Sequence, residues 1–465
     1  MKSLHDVVVV GGGPAGLSAA RDAAGFGLGV VVLDEQPRPG GQIYRNIERA
    51  DDESLNLLGP DYGHGRTLVA GFRKSGADFQ GGSTVWNIES DGTVSFSQAG
   101  RSYQIRGKHV IIAIGATERS VPFPGWCLPG VMGAGAIDAN YKSSGTVPDG
   151  PVVLGGSGPL LLLAIGHLIE LGVEIQAVLD TTPRGNMMSA LPLLPGALRR
   201  SDYLLKGLGM LLKLRRSGVT YHKNTAEYRV LGEDRVEAVS FTIGGERRQL
   251  DCAMFMVHEG VVPRCDFTHL LGISHQWDPV QRYWYPLADH FGATEIETIY
   301  VAGDGAFVHG GIPAAIKGSL TAYKIAENMN LLSGGDKESI SSALEKKLAG
   351  EIAPRPFVDS LYKPRQDLYR ISDDTLVCRC EEISAGDIRQ AISEGCRDAN
   401  EIKALTRCGM GNCQGRMCGS GLIEIIAGEL ALGAADLKPL NVRAPVRNLS
   451  LSELSEVDLL ETRDP

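Results

Sequence analysis

A chain of 465 residues with a net charge of −9 is too long for one ordinary domain, and two to four domains with a sizeable core are expected. Hydrophobic residues at 43 % and charged residues at 22 % are an ordinary globular mixture, and with a pI near 5.7 no overall positive field draws nucleic acid. Glycine, at 59 residues, exceeds its usual share of about 7 %; without any collagen-like period it gathers at turns such as GGGPAG and GGSGP, where backbone bends tightly or approaches a ligand.

MKSLHDVVVVGGG opens the chain with an apolar run of four residues before the glycines, far short of a secretory core or a bilayer span. No transmembrane segment is expected, and the expected location is cytoplasmic, with peripheral contact at the inner membrane face left open. DVVVV (6–10) reads as a buried parallel strand, GGGPAG (11–16) as a turn, 17–26 as the helix behind it and VVVLD (30–34) as the second strand. Gly11, Gly13 and Gly16 make G-x-G-x-x-G: the first glycine permits the tight turn, the second lets N–H groups approach a pyrophosphate, and the third lets helix and strand pack closely. Phosphates then meet the positive end of the helix. Asp34 ends the next strand 23 residues after Gly11, placed to accept adenosine ribose hydroxyls, and Glu35 is next to it.

Residues 83–105 alternate like an antiparallel meander, and VIIAIG (110–115) returns to a buried strand. A second cycle follows over 151–180: PVVLG, GSGP, LLLLAIGHLIELG and VEIQAVLD. Two such units predict a doubly wound architecture repeated in one chain, since each parallel crossover needs a covering helix. Here Gly156 and Gly158 match the first two glycines, but Leu161 stands at the third and holds helix and strand apart. Asp180 lies 24 residues after Gly156, so NAD(P) or another adenine nucleotide is left open. RRSDYLLKGLGMLLKLRR (199–216) reads as a cationic, solvated surface helix, and 219–257 as a second meander. The aromatic run HQWDPVQRYWYP (275–286) either shields a ligand or packs.

TIYVAGDG (298–305) is a buried strand ending in glycines and an acid, followed by a helical pattern over 312–332. In a two-unit flavoprotein such an acid, Asp304, reaches a ribitol hydroxyl while the helix start supports the second phosphate. With AIG at 113–115, this favours FAD at the first site. His309 stands near Asp304, either against the ligand or as part of the turn. Residues 333–369 read as a partly helical linker.

Nine cysteines occur, at 127, 252, 265, 378, 380, 396, 408, 413 and 418. The first three look isolated, with no redox C-x2-C or C-x4-C in residues 1–370. Six fall within 41 residues, which argues for a metal or cluster site in a reducing compartment rather than a disulfide scaffold. VCRCEE (377–382) and TRCGMGNCQGRMC (406–418) offer five thiolates for the four places of a tetrahedral iron–sulfur centre. The preferred set is Cys378, Cys380, Cys413 and Cys418, with Cys408 beside them as a replacement ligand. Four cysteines also suit structural zinc, but a one-electron relay has an obvious use on a flavin module. Gly409, Gly411, Gly415 and Gly419 would let amides turn toward the sulfurs.

Together, VVGGGPAG (9–16), LDEQPRPGGQIYR (33–45), LLGPDY (57–62), GATERSVPFPGW (115–126), GSGPLLLLA (156–164), VAGDG (301–305) and the two cysteine motifs resemble one family. It is that of the A or alpha subunits of bacterial opine oxidases and related proline and hydroxyproline dehydrogenases, with the B-type subunit of hydrogen cyanide synthase. The likeness covers nearly the whole chain. It implies an α/β fold of two nested Rossmann-like, glutathione-reductase-like domains plus a small α-rich domain of the bacterioferritin-associated ferredoxin (BFD) type. The expected division is 1–148 and 251–332 for the FAD domain, 149–250 for the inserted NAD(P)-like domain, 333–369 for the linker, 370–433 for the cluster domain and 434–465 for a tail. The resemblance implies FAD on Gly11, Gly13, Gly16, Asp34 and Asp304; the wider candidate set adds Pro14, Ala15, Glu35, Gly41, Gln42, Ala113, Gly115, Gly303, Gly311 and Ile312. No residue is assigned as catalytic. It further implies a [2Fe–2S] cluster, a smaller flavoprotein partner of the D-amino-acid-oxidase type, a small third subunit, FMN at a subunit interface and a quinone or other acceptor. The expected function is electron transfer in a heteromeric enzyme that oxidises a secondary amine, opine or imino acid. An NAD(P)H-dependent flavin reductase and a structural subunit with a stabilising metal are the alternatives.

Overall fold

The structure is a computed structural model that describes residues 4–332, 334–455 and 457–459. Val7, Val8 and Val9 are fully buried because the strand Leu4–Val10 is covered on both faces, the situation in which a strand reads as an unbroken apolar run. It pairs in parallel with Val30–Asp34 on one side and Arg101–Ile112 on the other. Asp78–Gly81 extends the sheet beyond Val30–Asp34. Arg101–Ile112 is long enough to serve two partners in succession. Its first half pairs with Thr93–Gln98 of the meander and its last residues with Ile299–Val301. That last pairing brings VAGD back beside the glycine turn.

Helices Pro14–Gly25 and Gly311–Asn328 cover one face of this sheet and cross each other closely. The contact has no room for side chains: a Cβ on Gly318 would fall 2.0 Å from the Ala15 carbonyl oxygen, and one on Gly16 would fall 1.9 Å from that of Gly11.

The second sheet is entirely parallel, in the order Thr220–Lys223, Ile175–Asp180, Val152–Gly156, Met254–His258, Val131–Gly133. Its strands therefore run from 131 to 258, past both ends of the interval 149–250, because two of them lie where the chain enters and leaves the unit. Leu161 is buried among Leu154, Ile165 and Val178. A three-stranded antiparallel meander, Ala226–Leu231, Ala238–Ile243 and Glu246–Asp251, follows. Helix Ser201–Arg216 lies at the surface and buries Leu214, but its outer face is apolar as well as cationic, with Leu205, Leu208, Leu211 and Leu212 exposed.

Helices Gly334–Ile352 and Arg355–Leu361 lie in the linker, whose end is tied to the second unit by Asn186, donating to the carbonyls of Leu361 and Lys363 at 3.1 and 2.8 Å. The cysteine domain has its own core. Ser384 and Asp387 form a capping box at the start of Ala385–Ser393, and Asp398 caps Ala399–Thr406. These helices and Gly419–Leu430 bury Ile388, Ile402, Leu422 and Ile426 together with Cys378, Cys408 and Cys418. The segment after it is more than a tail: Leu437 and Leu440 belong to the cysteine domain's core, Val446 to that of the first sheet, and Val457–Leu459 pairs with Ser102–Gln104. Among the described residues no helix is long and apolar enough to cross a membrane.

Gly318→Ala forces a methyl group against the Ala15 carbonyl. It is expected to cost roughly 1–3 kcal/mol, read as a lower thermal midpoint, whereas Gly209→Ala, with nothing within 4 Å of its Cβ at an exposed position inside helix Ser201–Arg216, gains up to about 1 kcal/mol of helix propensity and raises the midpoint.

Candidate functional site

The glycine turn forms the floor of a cavity of about 390 Å³. Gly11 holds φ +108°, and a Cβ there would lie 2.5 Å from the Ala113 oxygen, so only glycine lets these strand ends meet. Asp34 is set by its neighbours. One carboxylate oxygen accepts from the Gly12 N–H, the other from the Gln36 N–H at 2.6 Å, and burial pushes the carboxyl above its ordinary value while those bonds and Arg45 pull it down. The loop after it folds back over the turn, Gly40 donating to the Gly12 carbonyl at 2.9 Å. Gly41 comes so near Gly13 that a Cβ would lie 2.7 Å from its Cα.

Opposite, Asp304 accepts from the backbone N–H groups of His309 and Gly310 at 2.8 and 3.0 Å, which fixes the turn into helix Gly311–Asn328 at the cavity's edge. Gly11, Gly13, Pro14, Ala15, Asp34, Glu35, Gly41, Gln42, Ala113, Gly115 and Asp304 all line this cavity. Gly16, Gly303, Gly311 and Ile312 stand behind the wall; Gly303, for one, keeps clear of Ala15, whose Cβ would be 2.6 Å from its own. Gly310 takes the lining place expected of Gly311.

Several lining residues carry no local motif: Ser83, Thr84 and Val85 of the meander, Arg264, Phe267, Arg355 and Arg447. Arg447 and Arg264 flank Asp266 at 3.1 and 3.8 Å. Arg355 Nε, Arg45 Nε and His309 Nδ1 are buried with no hydrogen-bond partner, and Arg355 lines the cavity. A large polar ligand suits this wall: a glycine cradle under one end, buried unpaired donors beside it. His309 packs its ring on Phe307, 4.9 Å between centroids. Burial, then Lys317 and Arg355, push the imidazole down to about 3, so it is neutral.

The second unit treats its acid differently. Asp180 accepts from the Thr182 N–H at 2.9 Å and the Tyr221 hydroxyl at 2.7 Å. A cavity of about 980 Å³ lies beside it, and the linker's Leu361 and Tyr362 stand in its wall with Asp180, Arg184 and Met187.

The five C-terminal cysteines converge. Sulfurs of Cys378, Cys408 and Cys418 lie within 4.8 Å of one another and are buried, while Cys413 is half-buried and Cys380 exposed. Cys378 is held down to about 5, first by the Cys418 thiol and then by amides of Gly409, Glu381 and Cys380. Cys413 is likewise down to about 5, by Cys418 and by amides of Met417 and Gly415, among others. Cys418 is pushed up by the thiols around it. A crowd of thiols with inward amides is the donor chemistry of an iron–sulfur cluster. Cys265, isolated along the sequence, sits beside His269 and His275 in space; Cys252 is buried in the second unit's core, with Cys127 packed against it. No disulfide occurs among the described cysteines.

The cysteine domain is docked by specific bonds. Trp126 Nε1 donates to the Leu376 carbonyl at 2.7 Å, and Arg379 lies over the indole at 5.2 Å. Arg282, on the hairpin of the aromatic run, makes a two-pronged ion pair with the largely buried Glu424. Between the two parts lies a second cavity, about 410 Å³, with Trp277, Tyr283 and Trp284 on one side and Cys413 to Met417 on the other. Gln42, Ile114, Ala116 and Arg264 line both this cavity and the first.

With this geometry described, comparison with known proteins decides the family. Residues 5–328 match the pyridine nucleotide-disulphide oxidoreductase family and residues 376–428 the BFD-like [2Fe–2S] binding domain. The chain is 38 % identical to the A-type subunit of opine oxidase from Agrobacterium tumefaciens (strain Ach5) over 98 % of its own length and 92 % of the relative's. The chain belongs to this family of A-type opine oxidase subunits. It is 30 % identical to hydrogen cyanide synthase subunit HcnB of Pseudomonas protegens over 88 % of its length and 89 % of that protein's. The fold matches L-proline dehydrogenase from P. horikoshii with a TM-score of 0.74 at 20 % identity, covering 97 % of this chain and 80 % of that one. The chain is thus a flavin-dependent oxidoreductase subunit whose two domains imply FAD and a [2Fe–2S] cluster.

Arg282→Ala leaves the Glu424 carboxylate unpaired at a largely buried contact. Partners stranded this way cost about 3–5 kcal/mol when fully buried, less here. The expected outcome is a cysteine domain released early in limited proteolysis, with the flavin domain's thermal midpoint unchanged.

Proposed function

We propose that this chain is the electron-transfer subunit of a heteromeric dehydrogenase that oxidises a secondary amine, an opine, N-alkyl amino acid or imino acid, on a partner flavoprotein of the D-amino-acid-oxidase type. One observation carries the reading: Gln42, Ile114, Ala116 and Arg264 form a wall common to the nucleotide cavity and to the cavity that Cys413 lines. When bound, the flavin supplies an acceptor of electron pairs that releases electrons singly, and the cluster a one-electron carrier.

This chain's residues bind, orient and shield. Gly13 presents its backbone N–H and the helix start at Pro14 to a pyrophosphate, while Gly11, whose own N–H goes to the Leu33 carbonyl at 2.8 Å, makes the turn that lets the ligand approach; Asp34 is placed for the adenosine ribose and Asp304 for the ribitol chain. Arg355 and His309 offer the buried donors that lack partners. The Arg282–Glu424 pair and the Trp126 bond keep the cysteine domain against the second cavity. The arginines on the walls of that cavity, Arg264, Arg282 and Arg416, suit the phosphate of an additional FMN, which is expected at an interface with the partner subunit. The preferred cluster ligands are Cys378, Cys380, Cys413 and Cys418, with amides hydrogen-bonded to Cys378 and Cys413, and Cys408, whose sulfur lies within 4.8 Å of those of Cys378 and Cys418, is the replacement ligand. The reductase alternative is the second reading: Asp180 differs from Asp34 in accepting the Tyr221 hydroxyl, and the linker's Leu361 and Tyr362 form part of the wall of the cavity beside it.

Co-purified with its flavoprotein partner and mixed anaerobically with opines, proline derivatives or sarcosine, the complex is expected to bleach its flavin absorbance with one amine class. NADH is expected to leave the isolated chain unbleached; rapid bleaching by NADH would instead establish the reductase. Acid extraction of the complex should yield FMN beside FAD. In the ligand assignment, Cys413→Ser loses the visible absorbance of the cluster and Cys408→Ser keeps it; the reverse result would put Cys408 in the ligand set.

A further inference from the structure

Nine of the nineteen large hydrophobic side chains that stand exposed among the described residues fall within 26 consecutive positions, 187–212. Four of them, Leu205, Leu208, Leu211 and Leu212, are 42–66 % exposed. They form one stripe of helix Ser201–Arg216, at the three- and four-residue spacings that share a helix face. Other sides of the helix hold it to the body. Leu214 is buried, Lys213 Nζ donates to the Gly166 carbonyl at 2.9 Å and pairs with Glu170, Lys206 pairs with Asp61, and Tyr203 donates to Glu351 at 2.8 Å. Charge is spread as unevenly. Residues 184–216 hold seven lysines and arginines and one acid, Asp202, in a chain of net charge −9. Arg200, Lys206 and Lys213 are paired with acids, but Arg184, Arg199, Arg215 and Arg216 are exposed with no ion pair among the described residues. Arg184 and Met187 share one cavity wall with Leu211 and Arg215, so the two parts of the segment meet in a single surface.

We infer that segment 184–216 is a peripheral membrane-docking face, which lies along the surface of a bilayer containing anionic phospholipid. The helix has 16 residues, about 24 Å of length, enough to lay its leucine stripe in the acyl boundary. The unpaired arginines at its ends meet headgroup phosphates, and their long stems let the charge stay in the headgroup layer. An apolar stripe bordered by Lys and Arg is the composition of helices that lie in the membrane plane, and basic residues near an anionic surface add attraction that a neutral one does not supply. A second copy of the chain fits this face less well, because it would set unpaired cations against their own kind. A protein partner also fits less well: interface cores are rich in aromatic residues, and the one aromatic of the segment, Tyr203, is bonded to Glu351. Since no helix among the described residues can span a bilayer, the contact is one of the surface. Docking of this kind carries the chain to the phase in which a quinone acceptor dissolves. That consequence rests on the electron-transfer reading; the docking does not.

The test is flotation of the purified full chain with vesicles of phosphatidylcholine, alone or mixed with phosphatidylglycerol. The chain is expected to float with the mixed vesicles and to stay behind with phosphatidylcholine alone, and added salt is expected to weaken the binding. Arg215→Gln combined with Arg216→Gln lowers partitioning on the order of tenfold. Leu208→Ser combined with Leu212→Ser abolishes it, and both variants keep the flavin and iron content of the wild type. Leu208→Trp gives a second reading, a blue shift of its fluorescence on adding mixed vesicles. A wild-type chain that stays in solution with mixed vesicles would overturn the proposal, and so would a leucine variant that still floats. Loss of the flavoprotein from complexes purified with the leucine variant would overturn it too, since the face would then be a joint between subunits.

Discussion

The close approach of backbone at the glycine turn is the constraint on which the rest depends. Gly11 and Gly16 bring helix Pro14–Gly25 onto its strand, and Gly318 brings helix Gly311–Asn328 onto Ala15. Only with both contacts does the strand Ile299–Val301 return beside Arg101–Ile112 and put Asp304 across the cavity from Asp34. A side chain at any of these glycines would separate the two halves of the nucleotide site. The inserted unit and the cysteine domain are then hung from a platform whose geometry is set by missing Cβ atoms.

The same template has been used twice with different outcomes. In the first unit the third glycine permits close packing and the cavity stays lined by glycine and small residues. In the second, Leu161 fills the helix–strand interface as a core residue, and the acid at the strand end also accepts the Tyr221 hydroxyl. The unit still has a structural use. Its core supports Trp126, against which the cysteine domain settles, and its meander presents Tyr228, over which the linker's Arg365 lies.

What is legible in the sequence is local. The glycine spacing, the acid at the end of the second strand and the VAGD turn each lie within one turn or one βαβ unit, so their chemistry follows from spacing; the cysteine motifs, 378–380 and 408–418, are dense enough to mark a cluster site, but the helices between them leave the choice of four ligands among five to the fold. Arg264, Phe267, Arg355 and Arg447 reach the nucleotide cavity from a loop, the linker and the C-terminal segment, and no periodicity marks a residue brought in by tertiary packing. The C-terminal segment itself reads as a polar tail, although Leu440 and Val446 each enter a core; single apolar residues among prolines and charges leave no pattern. The leucines on helix Ser201–Arg216 match helical periodicity, but which stripe faces inward depends on helix Pro159–Glu170, which packs against one side of it.

The central claim is that electrons taken from an amine on the partner leave this chain singly through its cysteine domain. Freeze-quenched electron paramagnetic resonance of the co-purified complex, mixed anaerobically with its amine, tests it most directly. The account predicts a reduced [2Fe–2S] signal that grows as the flavin absorbance falls, and flavin reduction without that signal in Cys413→Ser. A cluster that stays silent while the amine is fully turned over to an external acceptor would contradict it and leave the domain a structural one.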